Sequence, residues 1–537
     1  MADVDIIIRN GMVVDGSGNP WVRMDVAIKD GRIVRLGRSL PLTGDREINA
    51  EGRVVCPGFI DPHNHSDLSV LFNPRAESAV MQGVTTMIVG NCGISLAPVN
   101  PERAELLKRH LSPFIPPGAE LKLEWRSFGE YLRRVEEGGC SCNLASLVGH
   151  GTIRIYVMGV ERREPTVEEL EEMKRLVAES MEEGALGLST GLIYPPGMFS
   201  KTQELIELAR VVARYGGVYA SHIRGEGDTL IEAVEEAIQI GEEAGVPVQI
   251  SHHKASGRPN WGRSAQTLRM MEEARMRGVD VTCDQYPYEA GMTSLATLLP
   301  PWAHEGGLER LLERLRRPEE RERMRRDIEQ GVPGWQNWVR DCGWENIYIS
   351  SVKTERNRRL EGKSLAEAAK IRGEDEFTAL CNLLLEEEGA VLIVLFAMCE
   401  EDIRRILKHP LQMVGTDSWA VTPHVGKPHP RFYGTYPKIL GRYVRDEGLL
   451  RLEEAIRKMT SFPAQRFGLK GRGLIREGFY ADIVIFDPKR VIDRATYKNP
   501  HQFPEGIEYV LVNGKPVVEE GRHTGILPGS VIRHGLG

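Results

Sequence analysis

Along this chain, short β-prone runs repeatedly end on a histidine, a cysteine or a carboxylate. Gly217-Val218-Tyr219-Ala220-Ser221-His222 and Val246-Pro247-Val248-Gln249-Ile250-Ser251-His252 each close on histidine. Thr85-Thr86-Met87-Ile88-Val89-Gly90 leads into Asn91-Cys92-Gly93, and Leu411-Gln412-Met413-Val414-Gly415-Thr416-Asp417 ends in a carboxylate. The apolar run Val54-Val55-Cys56-Pro57-Gly58-Phe59-Ile60 continues into Asp61-Pro62-His63-Asn64-His65. Residues i and i+2 of a strand share a face, so His63 and His65 can present two imidazoles to one metal ion. A thiolate at a strand end, here Cys92, is a strong zinc ligand. Ligand-type side chains at the carboxyl ends of separate strands are how a parallel α/β barrel gathers its catalytic groups. The pattern predicts a metallohydrolase on a (β/α)8 TIM-like barrel.

Organisation along the chain agrees. The first segment alternates strands and turns, 5–9, Asn10-Gly11, 12–15, 25–29, Asp30-Gly31 and 32–36, and the same texture returns near 481–487 and 509–517. Between them, β runs alternate with helical stretches at 166–183, 202–215 and 229–243, the order of a βα barrel. We therefore divide the chain into 1–56 as the first part of a small β-sandwich, 57–468 as the barrel, and 469–537 as the second part of the sandwich with a tail. About ten strand candidates compete for eight barrel places. The excess falls in the charged, helix-rich stretch 300–407, read as an insertion between a seventh strand at 279–286 and an eighth ending at Asp417.

Composition excludes several classes. With a net charge of −7 and interspersed acidic and basic residues, the charged runs read as solvated helix faces and nucleic acid is not an expected partner. The amino terminus lacks a basic head followed by a long apolar stretch, and no run is long enough to cross a bilayer. The eight cysteines are scattered, as suits reduced thiols in the cytoplasm. Cys140 and Cys142 read as a turn beside a strand, and Cys283 and Cys399 as core filling. His150 reads as a loop-stabilising residue, and His424, His523 and His534 as solvated.

Taken together, Gly58-Phe59-Ile60-Asp61-Pro62-His63-Asn64-His65, Gln82-Gly83-Val84-Thr85-Thr86 with Asn91-Cys92-Gly93-Ile94-Ser95, Gly184 through Gly197, Ser251-His252-His253-Lys254, Asp284-Gln285-Tyr286-Pro287-Tyr288 and His429-Pro430-Arg431 resemble the amidohydrolase superfamily. Within it they resemble the N-acyl-D-amino-acid deacylase (D-aminoacylase) family, in order and over essentially the whole chain. The resemblance implies zinc-dependent hydrolysis of the amide bond of N-acyl-D-amino acids. It implies a tight zinc site of Cys92, His222 and His252, and a second, weak site at His63 and His65. Other amidohydrolases bridge two metals with a lysine or glutamate of the fourth strand, and Ala185-Leu186-Gly187-Leu188-Ser189-Thr190 has neither, so Cys92 can take that place. Three protein ligands leave a position open, as a catalytic zinc requires. Asp417 is the expected general base, accepting a proton from water and returning it to the departing amine. By resemblance Lys254, Tyr286 and Arg431 hold the substrate's α-carboxylate, and Tyr194 lends its hydroxyl to the carbonyl oxygen. Of the adjacent pair, the family places the ligand at His252, and His253 becomes a packing residue.

The chain also departs from the family pattern. Met292 stands where members tend to carry serine, and Ser418-Trp419-Ala420-Val421-Thr422-Pro423-His424 is bulkier than the usual turn after the aspartate. Both enlarge the apolar surface beside the side-chain pocket, which predicts D-Met, D-Leu or D-Phe derivatives over D-Asp and D-Glu ones. Two alternatives stay open: another amidohydrolase, such as a cyclic amidase or a dipeptidase, and a metal-free scaffold of the same fold. The missing fourth-strand lysine counts against the first, and the retained ligands and Asp417 against the second.

Overall fold

The computed structural model describes residues 2–116 and 118–535. It opens on five strands, β1 (Val4–Val13), β2 (Val22–Lys29), β3 (Arg32–Gly37), β4 (Gly44–Asn49) and β5 (Val54–Pro57). Asn10-Gly11 does not turn the chain, as expected from sequence, but bulges a single strand. Asn10 adopts φ 62°, its N–H donates to Asp25 Oδ1 at 2.9 Å, and the pairing of β1 with β2 shifts register between Ile8 and Gly11. The bend lets the first half of β1 pair with β4 and the second half with β5. Asp30-Gly31 is a true hairpin turn, both residues having positive φ.

The barrel strands follow: β6 (Phe59–Asp61), β7 (Val84–Val89), the nearly continuous β8 (Asn143–Ser146) and β9 (Val148–Gly149), β10 (Gly187–Gly191), β11 (Val218–His222), β12 (Val248–Ile250) and β13 (Val281–Gln285). A detour through β14 (Ala290–Ser294), β15 (Ile347–Val352) and β16 (Val391–Phe396) precedes the eighth barrel position, β17 (Gln412–Val414). Parallel ladders run β6-β7-β8 and β9-β10-β11-β12-β13-β17. The circle closes where Asp417 N–H donates to His63 O at 2.8 Å and His65 N–H to Ser418 O at 2.7 Å. The period-two rule sorts the strand residues. Ile88, Ala145, Ala220 and Met413 fill the barrel interior, while Met87, Val89 and Tyr219 pack outward against the helices.

Strands β14, β15 and β16 form an antiparallel sheet with its own core, including Leu298, Leu311, Ile349, Leu380 and Ile393. The sheet starts at Ala290, before the charged texture that suggested a start near 300. The helix Glu400–Lys408 packs against β13, β17 and the helix Ser264–Met276, in the place of a barrel helix. After the barrel come β18 (Ile483–Phe486), β19 (Ile507–Val512), β20 (Lys515–Glu519) and β21 (Arg522–His523). β18 pairs antiparallel with β5, joining both chain ends in one nine-stranded assembly. The architecture is a TIM-like barrel with a β-sandwich built from both ends.

The tail is not free. Leu144 N–H donates to Ser530 O and Ile532 N–H to Leu144 O, so the tail lies along β8. His523 bonds the Ser141 hydroxyl at 2.9 Å and His534 Nε2 bonds Tyr215 O at 2.7 Å. Both were expected to be solvated, and both instead secure this crossing. All eight cysteines are free thiols, and among the described residues no helix is long and apolar enough to cross a membrane.

Candidate metal centre

Cys92 sits at the mouth of the barrel with three imidazoles around its sulfur. Its Sγ lies 3.4 Å from His63 Nε2, 3.6 Å from His222 Nδ1 and 3.5 Å from His252 Nε2. A tetrahedral zinc with ordinary Zn–S and Zn–N lengths spaces sulfur and nitrogen about 3.6 Å apart. Two donor sets could hold a metal ion: Cys92 with His222 and His252, and Cys92 with His63 and His65. The chemistry of both fits a borderline-soft cation. His222 Nε2 is buried without a partner. Burial opposes a thiolate at Cys92, yet the neighbouring His63, His252 and His65 hold its pKa well below the usual thiol value.

Local backbone conformation aims these groups. Cys92, His252 and Asp417 all have positive φ, at 53°, 34° and 51°. Such conformations are costly for residues other than glycine and gather at functional sites. His252 therefore leaves its strand in a tight turn and faces the thiolate, whereas His253 points away and bonds Thr267 Oγ1 at 2.8 Å. The fourth strand contributes space. A Cβ at Gly191 would stand 2.1 Å from Cys92 O, so only glycine lets the loop carrying the thiol rest there.

Carboxylates that the sequence reading missed orient the imidazoles. Glu226 Oε1 lies 2.9 Å from His252 Nδ1, which turns Nε2 toward the thiolate. Asp284 Oδ1 lies 3.2 Å from His63 Nδ1 and accepts the His252 N–H at 2.8 Å. Glu226 sits in Arg224-Gly225-Glu226-Gly227-Asp228, a stretch that reads as a polar turn; its nearness to His222 was the available signal. Lys254 does not present a free ammonium: its Nζ donates to Glu226 Oε1 at 2.5 Å and lies 2.8 Å from His252 Nδ1.

Asp417 faces this cluster. Its Oδ1 is 3.2 Å from His65 Nε2 and 3.5 Å from His63 Nε2, and its Oδ2 is 2.9 Å from Arg431 Nη1. Burial would raise its pKa, but Arg431 and His65 hold it well below the usual carboxylate range. Arg431 is 1% exposed, lies over the Tyr286 ring at 4.5 Å, and its Nε has no hydrogen-bond partner. His429, another residue the sequence reading did not assign, accepts the Arg431 N–H at 3.0 Å and bonds Ala290 O at 2.9 Å, tying the arginine to the inserted sheet. Tyr194 OH pairs with Thr293 Oγ1 at 3.2 Å. His65, Cys92, Tyr194, His222, His252, Lys254, Tyr286, Asp417 and Arg431 line one cavity, and His63 lies buried behind it. His150 lies outside it, paired with Glu204 at 2.7 Å.

The model of the amidohydrolase family matches residues 46–518. A D-aminoacylase of Alcaligenes xylosoxydans xylosoxydans is 37% identical over 533 residues, 98% of this chain and 97% of the relative. An N-acyl-D-glutamate deacylase of the same organism is 37% identical over 530 residues, 99% and 96% of the two chains. The crystal structure of N-acyl-D-glutamate deacylase from Bordetella bronchiseptica, which holds zinc and a phosphonate mimic of the tetrahedral intermediate, superposes with a TM-score of 0.81. That protein is 34% identical, with 99% of each chain covered.

Proposed function

The chain belongs to the amidohydrolase family, and from that premise we propose that it is a zinc-dependent deacylase cleaving the amide bond of N-acyl-D-amino acids. What carries the reading is the convergence, in one cavity, of a thiolate and two imidazoles at metal-ligand spacing with Asp417 and a buried arginine lacking a partner at Nε. Cys92, His222 and His252 would hold one tight ion, and His63 with His65 would form a weaker second place beside the same sulfur. Zinc held there would supply a Lewis acid for the amide carbonyl and for a water made acidic near neutral pH.

The chain's own side chains do the rest. Asp417 Oδ1 takes the proton from the attacking water and returns it to the departing amine. Tyr194 OH donates toward the carbonyl oxygen. Arg431, stacked on Tyr286, receives the α-carboxylate in a charge-assisted pair. Lys254, already matched by Glu226, fixes His252 and adds only a secondary pull on the substrate. Met292 and Trp419, which line the cavity and pack on Val421 and Phe432, take the D-side chain.

Two outcomes test this. In a screen of N-acetyl amino acids, D-isomers should be hydrolysed and L-isomers not, with D-Met, D-Leu and D-Phe ahead of D-Asp and D-Glu. Preference for L-isomers or acidic side chains would overturn the substrate assignment. Arg431→Met should cut discrimination between the free acid and its methyl ester by about 2–4 kcal/mol in transition-state terms. The ratio is the readout because Arg431 also pairs with Asp417, so its removal changes the base for the ester as well as for the acid. An unchanged ratio would remove Arg431 from carboxylate binding.

A further inference from the structure

The cavity does not end at the amino-acid pocket. It continues, lined by apolar side chains, between the helix Ala104–Leu111 and the inserted subdomain. There Leu106, Val160 and Leu308 meet around two glycines. A Cβ at Gly307 would stand 3.5 Å from Leu106 and 3.6 Å from Val160, and one at Gly389 would strike Leu308 at 2.5 Å. Larger residues at either glycine would close the passage. Its outer end is bridged by Arg109 and Glu309 at 2.6 Å. The histidines along it, His110 and His304, are pushed by burial down to about 4 and stay neutral. Ile94, Leu106, Ile193 and Leu308 keep part of their apolar surface uncovered within the cavity, surface that an apolar occupant would remove from water.

Barrel order fixes which end of a substrate faces this arm. Ile94, Val160 and Ile193 follow the second, third and fourth barrel strands, whereas Tyr286, Asp417 and Arg431 follow the seventh and eighth. In an eight-stranded barrel these groups stand across the mouth from each other. An amide held over Cys92 with its α-carboxylate at Arg431 must direct its acyl group away from Arg431. We infer that this apolar arm is an acyl-chain channel, and that the preferred substrates carry a medium or long unbranched apolar acyl group rather than acetyl. The inference rests on the deacylase reading.

The test is kcat/KM of the zinc-loaded protein toward D-methionine bearing acetyl, butanoyl, hexanoyl or octanoyl groups. Burial of one methylene is worth about fourfold, so the octanoyl compound should exceed the acetyl one by at least roughly a hundredfold. A flat or falling series in which the acetyl compound is hydrolysed overturns the channel and leaves the deacylase reading standing. If no member is hydrolysed, the deacylase reading fails and equilibrium binding decides the channel. Octanoyl-D-methionine bound at least about tenfold tighter than acetyl-D-methionine supports it, and equal affinity overturns it. Leu106→Trp, or Leu308→Trp from the opposite wall, plugs the arm and should lower the octanoyl-to-acetyl ratio at least about tenfold. An unchanged ratio in a variant with native circular dichroism overturns the assignment.

Discussion

Cys92→Ala should yield a folded protein that no longer retains zinc through dialysis and no longer turns over substrate. The thiol is the hub of both donor sets, so its loss leaves His222 with His252 on one side and His63 with His65 on the other, each short of three ligands. The methyl group is smaller than the thiol and sits in a turn that already tolerates positive φ, so the expected loss is specific to binding rather than to folding. Cys92→Ser separates ligand chemistry from shape, since it keeps the volume and replaces a soft donor by a hard one. It should bind zinc far more weakly than the parent. Metal analysis after dialysis is the measurement, and full zinc content in Cys92→Ala would remove Cys92 from the ligand set.

That this residue could be singled out from sequence follows from what strand ends do. A run such as Thr85–Val89 must be buried on both faces in a parallel barrel, so it reads as continuous apolar sequence, and the first polar residues beyond it are at the mouth. Cys92, His222, His252 and Asp417 were legible for that reason. Pairing of the two chain ends into a sandwich was legible from matching strand-and-turn texture. Residues acting on others were not: Glu226 and Asp284 are defined by contacts to imidazoles far away in sequence, and only its nearness to His222 sets Glu226 apart from a solvated loop carboxylate. The pairing of Lys254 was equally illegible, its partner lying 28 residues upstream. Asn10-Gly11 was misjudged for another reason: the turn signature was real but the backbone spent the positive φ on a bulge. His523 and His534 are ordered by a crossing of the tail over β8 that no periodicity announces.

Asp417→Asn should keep zinc and fold while lowering turnover by roughly two to four orders of magnitude, the usual cost of losing a positioned proton-transfer group. The amide preserves shape and an acceptor oxygen facing His65, so metal content should match the parent. The structure adds a consequence. Asp417 is paired with Arg431 before substrate enters, and that pairing holds its carboxyl well below the ordinary range, a state poorly suited to taking a proton. When a substrate α-carboxylate draws on the same guanidinium, the charge stabilising Asp417 is shared and its proton affinity rises. Binding of the acid thus prepares the base, and a neutral ester cannot do so. The two side chains should therefore be coupled: Arg431→Met alone also releases Asp417 from the guanidinium, a compensation absent once Asp417 is Asn, so the arginine change should cost more, for the free acid, in the Asp417→Asn background than it does alone. Near-normal turnover by Asp417→Asn would sink its role as base, and strictly additive losses in the double variant would sink the coupling while leaving that role in place.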